Sequence, residues 1–81
     1  MKVYLLGKRQ VKYTDKKTGE VKEYAELHYS YDARSTPSVN IDGKVADKVY
    51  IGYDEYDDIP VDCEANLNFD NHGYFVGIDI L

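Results

Sequence analysis

The chain has 81 residues, a net charge of −5, one cysteine, and 43% apolar against 31% charged residues. A domain this small buries only about 60% of its unfolded surface, which leaves room for one core and no large internal cavity. One cysteine excludes a disulfide framework and a cysteine-rich zinc site, and no apolar run is long enough for a membrane span or a signal peptide.

These limits lead us to expect a soluble, cytoplasmic protein with a single domain over residues 1–81. Period-two alternation dominates, and no window carries a 3.6-residue apolar stripe. Lys2 to Tyr13 reads as a first strand and Val21 to Tyr31 as a second. The linker Thr14-Asp15-Lys16-Lys17-Thr18-Gly19-Glu20 has the chemistry of a type I turn closed by a glycine bulge. On the second strand Val21, Ala25, Leu27, Tyr29 and Tyr31 share an apolar face, while Lys22, Tyr24, Glu26 and His28 point the other way.

Residues 32–43 are the least regular, but Asp42-Gly43 between Val39, Ile41, Val45 and Val49 is a two-residue hairpin signal. Lys44 to Tyr53 reads as a third strand, followed by the acidic connection Asp54-Glu55-Tyr56-Asp57-Asp58. From Ile59 to Phe69 every odd position is apolar, which predicts a long half-buried strand with Pro60 near its start and Cys63 facing the core. Asp70-Asn71-His72-Gly73 reads as a tight turn, and the chain returns with Tyr74, Val76, Ile78 and Ile80 on one face. The fold class is therefore all-β and helix-poor. The expected architecture is a small five-stranded OB-like barrel, with a short sandwich as the alternative.

Catalysis has little support. His28 and His72 pair with no nucleophile or metal partner by spacing, and no phosphate loop is present. No cofactor, small-molecule substrate or metal is implied, because the acidic run lacks the ligand spacing and mid-loop glycine of a calcium loop.

The charges are unevenly placed. Residues 1–34 balance at +3 and residues 35–81 at −8. Lys8, Arg9, Lys12, Lys16, Lys17 and Lys22 cluster on the first two strands and their turn, interleaved with Tyr13, Tyr24, Tyr29 and Tyr31. Cations for phosphates beside aromatic faces for bases are what single-stranded nucleic acid requires. The bland alternative is that these tyrosines are strand formers packing cross-strand while the lysines keep an edge soluble. Tyr24, turned outward beside Lys22, is the best stacking candidate, with Tyr13 or Tyr31 as its companion. Tyr29 and Tyr31 also fit a core role.

The stretch Gly19-Glu20-Val21-Lys22-Glu23-Tyr24, its continuation Leu27-His28-Tyr29, and the terminal His72-Gly73-Tyr74-Phe75-Val76-Gly77-Ile78-Asp79 carry a likeness. Through them the chain resembles the single-stranded-DNA-binding proteins of filamentous phages, the gene V type. The resemblance implies a five-stranded barrel, a two-fold homodimer, and cooperative, largely sequence-independent coating of single strands during DNA replication. It assigns Lys16, Lys17, Lys22 and Tyr24 to DNA. It also implies an aromatic offered by the late hairpin, a place that Phe69, Tyr74 or Phe75 fills here, with Phe69 as the candidate.

The expected function is thus non-catalytic binding of single-stranded DNA, with RNA also compatible, by a homodimer that involves no membrane. The rival is an acidic, tyrosine-bearing module over residues 50–58 that docks on a basic protein partner and imitates nucleic acid.

Overall fold

Alternation of apolar and polar residues builds five strands in the computed structural model, which describes residues 1–81. They are β1 (Lys2–Thr14), β2 (Val21–Tyr31), β3 (Val45–Ile51), β4 (Cys63–Phe69) and β5 (Phe75–Ile80). All neighbours are antiparallel, in the order β3-β2-β1-β4-β5. The predicted barrel does not close, because β3 and β5 are the two edges of one open sheet. The chain between β3 and β4 takes the place of closure. A 3-10 segment, Tyr53–Asp58, and Ile59 behind it cover one face of the sheet, where Ile59 is 7% exposed.

The core lies between that segment and the inner sheet face. Val3, Leu5, Ala25, Leu27, Tyr29, Val49, Ile51, Ala65 and Leu67 supply it, with Tyr56, Cys63, Phe75 and Ile78 packed around them. The placement of Ala25, Leu27 and Tyr29 follows from alternation on β2, as does the opposite placement of Tyr24, Glu26 and His28.

The two long strands outrun their neighbours. β4 pairs with β1 only from Lys2 to Leu5, and β3 pairs with β2 only from Ala25 to Tyr31. Val11–Thr14 and Val21–Tyr24 therefore pair only with each other and project as a two-stranded arm. The arm explains a radius of gyration of 15.2 Å where a compact chain of this length has about 12 Å. Its tip is the expected turn: Gly19 N–H donates to the Asp15 carbonyl at 2.8 Å, and Gly19 has φ of 72°. Asp15 Oδ1 accepts the Lys17 amide at 2.8 Å.

A bulge between Leu5 and Gly7 changes the parity of β1. Val3 and Leu5 face inward, and beyond the bulge Lys8 and Gln10 lie opposite the inward Leu27 and Ala25. Arg9, Val11 and Tyr13 consequently join Tyr4 on the outer face.

Three further expectations are corrected. Asp42-Gly43 does not close a hairpin: upstream of β3 the only pairing is a tight turn between Thr36 and Val39 around Pro37, and β3 pairs with β2 instead. The strand read as Ile59–Phe69 starts at Cys63, because Asp62 sits in the left-handed region at φ 56° and breaks the extended run. On β5 the extra residue Val76, between the pairs Asn68–Gly77 and Phe69–Phe75, brings Phe75 onto the core side together with Ile78 and is itself left 62% exposed. No helix is long and apolar enough to cross a membrane.

Candidate nucleic-acid interface

The outer face of β1, β2 and β3 is ordered in rows by the strand register. Tyr13 lies opposite Lys22 and Val11 opposite Tyr24 on the arm. The next rows are Arg9–Glu26–Tyr50 and Gly7–His28–Lys48, followed by Tyr4–Ser30–Ala46. Tyr24 and Tyr50 meet edge to face with centroids 6.1 Å apart, and Tyr50 is 64% exposed. Edge-to-face packing fixes the rings without a covering layer and leaves an aromatic surface open to solvent.

In the row between Arg9 and Tyr50 sits Glu26, only 2% exposed although it faces away from the core. Its Oε1 accepts from Arg9 Nε at 3.1 Å and approaches His28 Nε2 at 3.2 Å, while Oε2 accepts from Lys48 Nζ at 3.1 Å. The Lys48 contact, helped by His28 and Arg9 and opposed by burial, holds the Glu26 carboxyl at a pKa of about 2. The same carboxylate raises the pKa of the Lys48 ammonium. Because Arg9 is tied through Nε alone, its two terminal amino groups keep their donors for a ligand.

A depressed carboxylate stabilises the fold above its unfolded pKa and loses that contribution as pH falls through the folded value. Glu26→Gln is therefore expected to be less stable than wild type at neutral pH, and the gap should narrow as pH falls from 4.5 toward 2. Thermal midpoints of both proteins across that range check this. A gap independent of pH would show that packing and not charge is at work.

The predicted site residues are divided by this geometry. Arg9, Tyr13, Lys22 and Tyr24 lie together on the outer face, and Lys16 and Lys17 stand at the arm tip, exposed and without an ion-pair partner. Lys22 faces Asp15 at 3.8 Å. Lys12 lies on the other face of the arm, 3.9 Å from Glu23. Lys8 is also on the inner side, where its ammonium donates to the Tyr56 carbonyl and sits 4.2 Å from the Tyr56 ring centroid. It anchors the 3-10 segment and does not join the outer patch. Tyr31 packs against Tyr29 at 5.9 Å on the inner face, and burial raises the Tyr29 hydroxyl pKa, as expected of a core residue. Phe69 pairs with Phe75 at 6.0 Å near the opposite edge of the sheet, remote from the arm.

Sequence reasoning misses Lys48 and His28, and it places Tyr50 only in the rival surface over residues 50–58. The signal was present, since Lys48 and Tyr50 alternate with the core residues Val49 and Ile51. Their neighbourhood with Tyr24 and Arg9, however, needs the β2–β3 register, which no local pattern supplies. The acidic side chains Asp54, Glu55, Asp57 and Asp58 are exposed on the 3-10 segment, across the sheet from this patch. No match to this chain was found among protein-family models, curated proteins or solved structures.

Proposed function

We propose that this protein binds single-stranded nucleic acid, DNA in the first place, without catalysis, along the outer face of the arm and of β1 to β3. The observation that carries the reading is the Tyr24–Tyr50 pair, solvent-facing and flanked by Arg9 and Lys48. Bases stack on the rings and phosphates meet Arg9, Lys48, Lys22 and the tip lysines, the division of labour used by sequence-tolerant strand binders. The net charge of −5 is tolerable because the acidic segment lies behind the sheet.

A homodimer, a cytoplasmic setting and a role in replication of a phage or mobile element belong to the same proposal. So does the OB-like character, here a five-stranded surface that offers one face to a strand. The strands β3 and β5, unpaired on their outer sides, are the places where a second copy would join.

Tyrosine fluorescence during titration with poly-deoxythymidine tests the reading, since the chain has nine tyrosines and no tryptophan. Quenching is expected at low salt, with affinity falling as salt rises by about 0.7 logarithmic units per phosphate neutralised and tenfold salt increase. An unchanged signal at low salt overturns it.

One observation favours a second reading. Asp54, Glu55, Asp57 and Asp58 have no intramolecular cation partner, so an acidic docking surface for a basic protein is available. Exchanging these four for lysine would abolish function under that reading and spare it under the first.

A further inference from the structure

The outer face ends, opposite the arm, in a cleft of about 340 Å³ between the start of β1, the end of β2 and the loop before β3. Its volume is at the small end of the range for small-molecule sites, about 300–1,000 Å³. Tyr4 offers a ring that is 37% exposed. Lys44 is exposed and has no ion-pair partner, while Lys2 reaches Glu64 at 3.5 Å in a solvent-exposed pair. The Ser30 hydroxyl, on a residue only 8% exposed, makes no hydrogen bond within the protein, and Asp32 is also unpaired at the rim. An aromatic ring, a cation with no partner and unspent hydroxyl and carboxylate groups thus converge in one small concavity.

The register ties this cleft to the binding face. Tyr4 and Ser30 form the row after Gly7–His28–Lys48, and Ser30 stands four residues along β2 from Glu26 in the row of Arg9 and Tyr50, about 13 Å at about 3.3 Å per residue. A strand lying over Tyr24 and Tyr50 and continuing along β1 arrives at the cleft.

Resting on the strand-binding reading above, we infer that the cleft is a terminal subsite that holds one nucleotide. Its base lies against Tyr4, its phosphate meets Lys44, and its sugar or base edge meets Ser30 and Asp32. Carboxylates in the lining suit a nucleotide and disfavour a bare phosphate, because only the nucleoside part brings hydrogen-bond donors for them.

The test compares oligo-deoxythymidines of about four and about eight nucleotides, the lower part of the site sizes of OB folds. Affinities are read by anisotropy of the labelled oligomers for wild type, Lys44→Glu and Tyr4→Ala. In wild type the longer oligomer is expected to gain at least about fivefold, the lower limit for one stacked base. Both variants should bind the short oligomer like wild type, or weaker by a constant factor, and lose that gain. A charge effect spread over the whole surface would lower both affinities in parallel, so loss of the increment alone marks the cleft. If wild type and variants gain equally from length, the subsite is overturned while strand binding stands. If wild type binds neither oligomer at low salt, the underlying reading fails and the subsite with it.

Discussion

Leu27→Ala is expected to remove about 2–5 kcal/mol of stability, while Val76→Ala stays within about 0.5 kcal/mol of wild type. Leu27 is fully buried on β2, flanked by Lys8 and Val49 in the register, and truncating it leaves a cavity under the 3-10 segment that a small core cannot refill. A chain of 81 residues has only about 4–12 kcal/mol in total, so the loss is a large fraction. Midpoints should fall by about 10–40 °C. Val76 reads as core from the alternation of β5 yet is 62% exposed, because the bulge against β4 reverses its face. Thermal or urea unfolding of both variants decides the matter. Equal losses would mean that Val76 is buried and that the bulge does not exist in solution.

The contrast between these two residues shows where local pattern stops. Ala25, Leu27 and Tyr29 fall inward as alternation on β2 requires, and Asp15 and Gly19 build the turn that their chemistry demands. Faces are legible wherever a strand is regular. They are lost at bulges, since one extra residue reverses every later side chain and nothing near Leu6 or Val76 announces it. On β1 plain alternation divides Lys8 and Lys12 from Arg9 and Tyr13, and the reversal at Leu6 decides which pair faces outward, so a basic cluster that is continuous in sequence is divided between two faces. Asp42-Gly43 fails for a different reason. The hairpin signal is local, but β3 gains more by pairing over its whole length with the buried β2 than with the loop around Pro37. In sequence the acidic run reads as a connection, and its role in covering the sheet depends on Tyr56 and Ile59 reaching the core, a long-range outcome. Lys48 and Tyr50 enter the candidate site on the same terms, through a strand pairing that only the folded chain displays.

The second large effect concerns that pair of rings. Tyr24→Ala and Tyr50→Ala should each weaken binding to oligo-deoxythymidine by about 1–3 kcal/mol, about 5- to 150-fold. The double variant should lose less than the sum, because each ring holds the other edge to face at 6.1 Å and the first deletion already loosens its neighbour. Neither change removes a charge, so the slope of affinity against salt should stay that of wild type. Lys16→Glu with Lys17→Glu gives the opposite signature, a shallower slope with the stacking contribution retained. Tyr74→Ala is the control, since its ring is 72% exposed at the far edge of the sheet and should have no effect. Anisotropy of a labelled oligomer is the measurement to use, because the substituted rings would otherwise carry part of the signal. If all three tyrosine variants bind like wild type while the lysine variant does not, the arm is a purely electrostatic grip and the aromatic face is structural. If none of these changes matters, the acidic surface of the 3-10 segment becomes the working face, and lysine exchange at Asp54, Glu55, Asp57 and Asp58 is the decisive comparison.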